Sequence, residues 1–115
     1  MDIKEMQKKI IKFRDERDWK QFHSPKDLAI DLSLEASEVL EHFLWKNDKE
    51  QKVHIKKHKD EVADELADVL MPLLILAYDF NIDIKKSFER KLKKTAKKYP
   101  VSKSKGKHTK YTELK

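Results

Sequence analysis

A chain of 115 residues holds one domain at most, and with 42% charged against 38% hydrophobic residues it has little apolar surface to bury alone. One glycine and three prolines are too few turn residues for a fold of many short strands, and the lack of cysteine excludes a disulfide framework and a thiolate metal site. The net charge of +6 is uneven: residues 1–84 carry 14 Lys/Arg against 19 Asp/Glu, and residues 85–115 carry 13 against 2. An acidic body with a basic arm suits nucleic acid, an acidic small molecule or a partner subunit, and charge alone does not choose among them.

Long charged segments bearing alanine and leucine predict an all-α fold. The first helix is expected from Asp2 to about Arg17, with Ile3, Met6, Ile10 and Phe13 on one face. The aromatic stretch Asp18–His23 is irregular. Ser24-Pro25-Lys26-Asp27 is a helix start, with serine at the cap, proline in the first turn and an acid three residues on. The second helix should reach about Trp45, with Asn47–Lys52 as a polar connection. A third, long helix should begin between Val53 and Lys59 and end near Phe80. Its apolar run, Val69 to Tyr78, reads as a buried helix, far too short to span a bilayer. Pro72 removes the N–H that the Asp68 carbonyl would accept from, so a bend is expected there. Asn81 suits a left-handed exit, and Asp83 caps a fourth helix with Ile84, Phe88 and Leu92 on one side, ended by Tyr99-Pro100. The expected organisation is a helical domain over residues 1–100 and a basic tail over 101–115, the tail disordered or ordered only against another surface. Met1–Lys12 does not resemble a signal peptide, and together with the missing cysteine this points to the cytoplasm.

The informative feature is acid on an apolar face. Leu28, Leu32, Val39 and Phe43 mark the inward stripe of the second helix; Glu35 falls within it, and Glu38 is its neighbour one turn on. Glu65 and Asp68 repeat the spacing in the third helix among Val62, Leu66, Val69 and Leu73, and Glu61 extends the line upstream. Four carboxylates brought together repel one another, so a cation must neutralise them, and oxygen ligands on rigid helices suit Mg²⁺ or Mn²⁺. The other reading, acids at the stripe edge that are solvated or paired with lysines, stays open on spacing alone. His54 and His58 are four apart, but they sit among lysines and read as solvated.

Taken together, these residues resemble the MazG-like pyrophosphatases, especially the branch containing dCTP pyrophosphatase. Arg17-Asp18-Trp19-Lys20-Gln21-Phe22-His23-Ser24-Pro25-Lys26-Asp27-Leu28 is similar to the branch's RDWxQFHxPxxL segment. Glu35-Ala36-Ser37-Glu38 matches its E-x-x-E, and Phe43-Leu44-Trp45-Lys46 is close to FQWK. Glu65-Leu66-Ala67-Asp68-Val69-Leu70 matches the E-x-x-D within ELxDVL, and Tyr99-Pro100 and Lys110-Tyr111-Thr112-Glu113-Leu114 resemble its C-terminal end. The resemblance implies helical hairpins that assemble as a four-helix bundle in a homodimer or homotetramer. It implies that Glu35, Glu38, Glu65 and Asp68 hold Mg²⁺, with Mn²⁺ as a substitute, and that a nucleoside triphosphate is cleaved between its α- and β-phosphates to the monophosphate and pyrophosphate. Glu38 is the choice for the group that takes the proton of the attacking water. Trp19 and Trp45 are base-pocket residues by resemblance. Trp45, seven residues after Glu38, would stand two turns along the same helix face. Lys91 matches a phosphate-contacting lysine, or is solvated like its neighbours. Thr95 stands where the branch commonly has asparagine, and Pro72 where it commonly has an aromatic, which leaves base selectivity open. His23 is a substrate contact or a polar member of its loop.

The rival from another class is a Lys-rich nucleic-acid- or partner-binding module built on residues 85–115. It would bind with steep salt dependence, but it gives no reason for four inward acids. A carboxylate-bridged di-iron site needs Glu-x-x-His, and neither acid pair supplies the histidine.

Overall fold

The computed structural model describes residues 1–115 as two compact units, Met1–Asn81 and Ile82–Lys115. All regular structure is helical, as the composition predicts. In the first unit α1 (Ile3–Glu16) is capped by the Asp2 side chain, which accepts from the Glu5 N–H at 2.9 Å. A 3₁₀ turn (Lys20–Phe22) leads to α2 (Pro25–Glu41), whose Ser24 Oγ accepts from the Asp27 N–H at 3.1 Å with proline in the first turn. α3 (Asp48–Lys57) and α4 (Lys59–Asp79) follow.

The main packing is α2 against α4, with α1 and α3 against α4 as well. Leu28 meets Ile75 in the core and Glu38 meets Glu65 further along, so α2 and α4 run antiparallel. Ile11 joins Leu28 and Ile75, with Ile10 and Leu76 packed against them. α1 is tied to α4 by polar groups. Gln7 Nε2 donates to the Leu74 carbonyl at 2.9 Å, and Arg14, only 1% exposed, reaches both carboxylate oxygens of Asp79 at 2.8 and 3.0 Å. The inward face of α1 is therefore Gln7, Ile11 and Arg14, rotated from the predicted stripe, and Phe13 faces solvent beneath the Arg17 guanidinium at 3.7 Å. Arg14 sits one turn from Ile10 and Ile11, and paired with an aspartate it packs where an aliphatic was expected.

Two further differences have local causes. α2 ends at Glu41, not near Trp45, because the chain turns from His42 to Trp45. The expected connection Asn47–Lys52 is the start of α3: Asn47 accepts from the Glu50 N–H at 2.9 Å while Glu50 accepts from the Asn47 N–H at 3.2 Å, a reciprocal cap. The long third helix is α4, which begins at Lys59 within the predicted range and ends beside Phe80 as expected; the unforeseen α3 stops before it at His58, where φ −121° and ψ 32° leave the helical range. No glycine or proline marks that break. α4 itself runs without interruption through the buried Pro72.

In the second unit Asp83 caps α5 (Ile84–Lys98) by accepting from the Lys86 N–H at 3.1 Å, after the left-handed Asn81 at φ 54°, both as expected. Residues beyond Pro100 fold back on the end of α5. A short helix α6 (Val101–Ser104) and Gly106 at φ 78° turn the chain, the Tyr111 N–H donates to Tyr99 Oη at 3.1 Å, and the two rings meet edge-on at 5.9 Å. Lys98 Nζ lies 4.6 Å from the Tyr111 ring centre, a cation–π contact.

Candidate metal and nucleotide site

Glu35 and Glu38 project from α2 towards Glu65 on α4, and one carboxylate oxygen from each lies within 4.8 Å of the others. The antiparallel register brings the two E-x-x-acid pairs face to face, and Asp68, one turn after Glu65, adds its charge to the field at Glu35. No lysine or arginine pairs with any of the four acids; Glu35 and Glu65 are partly buried and Glu38 is exposed.

The acids perturb one another. A hydrogen bond shared with Glu38, partial burial and the neighbouring charges push the Glu65 carboxyl up to about 7. Burial and repulsion from Glu38 and Asp68 raise Glu35, partly offset by its hydrogen bond to Glu65. Oε2 of Glu35 and Oε2 of Glu65 are buried without any hydrogen-bond partner. Orphaned carboxylate oxygens beside a third carboxylate are a donor set that fits a hard divalent cation of the Mg²⁺ or Mn²⁺ kind.

A pH dependence follows for the metal-free protein. Glu65 binds its proton more tightly folded, near 7, than at its ordinary value of 4.5. The stability this supplies is complete below the ordinary value and is lost as pH rises through about 7. The thermal midpoint of chelator-treated protein is expected to fall between about pH 5 and pH 8. Glu65→Gln should flatten that slope; an identical slope in the variant would remove the acid cluster as its cause.

The other predicted site residues are placed less uniformly. Trp19 precedes α2, its ring edge-on to Phe13 at 5.6 Å. Trp45 does not share a helix face with Glu38, since α2 has already ended; it takes φ 63° and is 93% exposed. A bulky residue in the left-handed region costs on the order of 1–3 kcal/mol, so the chain displays this ring under strain. Lys91 and Thr95 stand on α5 in the second unit, and Thr95 Oγ1 donates to the Lys91 carbonyl at 2.9 Å. That commits the one hydroxyl proton within the helix and leaves oxygen lone pairs as what Thr95 offers a ligand. His23 lines a cleft of about 420 Å³ with Lys20, Pro25, Leu28, Tyr78 and Phe80, and its Nδ1 is buried without a partner.

Sequence reasoning missed the Arg14–Asp79 pair and His42. His54 and His58, read as solvated, are partly buried and packed on each other, and His54 packs on His42. The signal for His42 was its place one turn beyond Glu38 on the line of the inward stripe.

Residues 30–114 match the MazG-like family. The chain belongs to that family. dCTP pyrophosphatase 1 of Rattus norvegicus is 35% identical over 114 residues, covering 97% of this chain and 67% of the rat protein. dCTP pyrophosphatase 1 of Homo sapiens is 32% identical over 114 residues with the same shares of each chain. Among solved structures, a pyrophosphatase from Archaeoglobus fulgidus DSM 4304 is similar with a TM-score of 0.80 and 38% identity, over 84% of this chain and 91% of that one. The family match begins after the Arg17–Leu28 segment, whereas the alignment to the curated relatives spans nearly the whole chain.

Proposed function

We propose that this MazG-like protein hydrolyses dCTP, or a modified analogue of it, between the α- and β-phosphates, with Mg²⁺ held by Glu35, Glu38, Glu65 and Asp68. The broader activity, nucleoside triphosphate pyrophosphohydrolase, rests on the family and on relatives of that activity. The observation that carries the metal reading is the unpaired acid cluster with two orphaned oxygens. Bound there, the cation offsets phosphate charge and lowers the barrier to attack by water. Glu35 and Glu65, partly buried between α2 and α4, are the rigid members. Glu38 is the exposed one, free to accept the proton of a water that adds across the anhydride as pyrophosphate leaves. Lys91 meets phosphate charge, and Thr95 takes part in sugar or base contact.

Trp19 and Trp45 are the proposed base contacts, and their placement bears on assembly. They lie beyond opposite ends of α2, whose 17 residues span about 25 Å, so one base cannot touch both in the same chain. A second copy would supply one of them. Ile30 and Leu34 on α2 and Leu66 on α4 are exposed in the single chain, with Leu34 at 59% and Leu66 at 56%, and a homodimeric bundle would cover such faces. No helix is long and apolar enough to cross a membrane, and a nucleotide substrate in a cysteine-free chain accords with the cytoplasm.

The test is a panel of ribo- and deoxyribonucleoside triphosphates with Mg²⁺, products resolved by chromatography, on protein whose mass in solution is measured by sedimentation. Expected are monophosphate and pyrophosphate, fastest from a deoxycytidine substrate, and a mass of two or four chains. No turnover with Mg²⁺ or Mn²⁺ would bring the Lys-rich binding module forward, and an active monomer would remove the shared base pocket.

A further inference from the structure

Phe13 belongs by periodicity to the inward stripe of α1, yet it stands 42% exposed, and the ring it meets is that of Trp19, itself 43% exposed. Two rings left so open to water gain little from burial. The backbone nevertheless goes out of its way to pair them. α1 stops at Glu16, and the Arg14 carbonyl accepts from both the Arg17 N–H at 3.2 Å and the Trp19 N–H at 3.1 Å. Between these two, Asp18 turns through the left-handed region at φ 53°. Gln21 Nε2 holds the turn by donating to the Asp18 carbonyl at 2.9 Å and to Asp18 Oδ2 at 3.0 Å. Residues six apart do not face each other along a helix, so this reversal is what returns the Trp19 ring to Phe13.

We propose, resting on the reading of Trp19 as a base contact, that Phe13 and Arg17 are positioning residues: they clamp the Trp19 ring in the orientation in which it meets the nucleobase.

The clamp has two parts. Phe13 stands edge-on to Trp19, with ring centres 5.6 Å apart and planes at 77°, the arrangement that aromatic quadrupoles favour. The Arg17 Cζ lies 3.7 Å over the Phe13 ring centre and 6.0 Å from that of Trp19, within reach of both π-systems. Arg17 Nη1 donates to the Phe13 carbonyl at 3.0 Å, which fixes the guanidinium over the rings. No carboxylate forms an ion pair with Arg17, so its charge is left to the two aromatic faces.

The main chain beneath the clamp is anchored as well. The carbonyl that takes the Trp19 N–H belongs to Arg14, whose guanidinium is bound to Asp79 at 2.8 and 3.0 Å. Asp79 ends α4, the helix that carries Glu65 and Asp68, so Trp19 is referred to the same element as half of the metal site. Holding an aromatic side chain in its bound orientation before the ligand arrives removes an ordering cost from binding. The effect is equal in the ground state and the transition state, so it falls on KM and not on kcat.

The experiment compares Phe13→Leu, Phe13→Tyr, Arg17→Gln and Trp19→Leu with wild type in steady-state hydrolysis of dCTP. Both clamp residues are exposed, so their replacement leaves the core untouched. Time-resolved fluorescence anisotropy then follows the Trp19 ring without substrate, in chains where Trp45→Phe leaves it as the one tryptophan. Phe13→Leu and Arg17→Gln are expected to raise KM about 3–10-fold with kcat within about twofold, and to widen the nanosecond swing of the ring. Phe13→Tyr keeps the ring and should keep the wild-type KM. If Phe13→Leu and Arg17→Gln show a wild-type KM or an unchanged swing while Trp19→Leu weakens binding, the clamp is overturned and the base contact stands. A wild-type KM in Trp19→Leu removes the base contact, and the clamp with it.

Discussion

Glu38→Gln is expected to reduce pyrophosphate release by more than about 100-fold while leaving the chain folded. Replacing groups that only orient metal ligands costs about 10–100-fold, and Glu38 stands in the cluster itself. Glutamine keeps the shape but cannot accept a proton from water, and it removes one charge from a group of four that no lysine offsets. The same loss of charge relieves repulsion when no cation is bound, so the metal-free variant should melt at or above wild type. A fall in rate with a retained or raised melting temperature separates a chemical role from a structural one. Activity within tenfold of wild type would move the proton acceptor to another residue.

Arg14→Ala should be the most destabilising single substitution in the chain. The guanidinium is almost wholly enclosed, with two hydrogen bonds to Asp79 and one to Asp15 at 3.1 Å, and its Cζ lies 5.9 Å from the Tyr78 ring centre. Removing one partner of a buried pair leaves an uncompensated charge and costs about 3–5 kcal/mol. For a domain of this size that is a fall in melting temperature of more than about 10 °C. Exchange of both partners, Arg14→Met with Asp79→Leu, should recover much of the loss, because no charge is then stranded. If the single variant melts within a few degrees of wild type, the pair does not fasten α1 to α4 as its geometry indicates.

Much of the fold is legible because its signals are local. Ser24-Pro25, Asp83 and Asn81 act where their backbone chemistry places them, and the α2 stripe with Glu35 inside it holds from Leu28 to Val39, Phe43 falling beyond the helix end. The site is legible for the same reason: two acid pairs at equal spacing on antiparallel helices must meet if the apolar stripes meet. What escaped depends on geometry beyond the helix. The break at His58 has no breaker residue, since the histidine bonds back to the His54 carbonyl at 2.8 Å and still accepts from the Val62 N–H at 3.0 Å. Counting turns from Glu38 misplaces Trp45, because α2 ends at Glu41 before it reaches the ring. Arg14 went unseen because an inward charge reveals itself only when its partner, 65 residues away, is known. The capping box at Asn47 is visible in the sequence, but the unbroken polar run Lys46–Lys52 around it has the composition of a connection.

One further consequence lies in the smallness of the core. Only Ile11, Leu28, Pro72, Leu74, Ile75 and Ala77 are buried apolar side chains, while Phe22, Leu34, Leu40 and Leu66 stay more than half open to water. A chain that encloses so little draws its folded population from mass action: whatever covers those faces adds stability in proportion to the logarithm of its concentration. If the cover is a second copy, specific activity falls on dilution and the melting temperature climbs as protein is added. Nucleotide turnover would then rise more steeply than in proportion to expression, low when chains are scarce and abruptly higher once they meet.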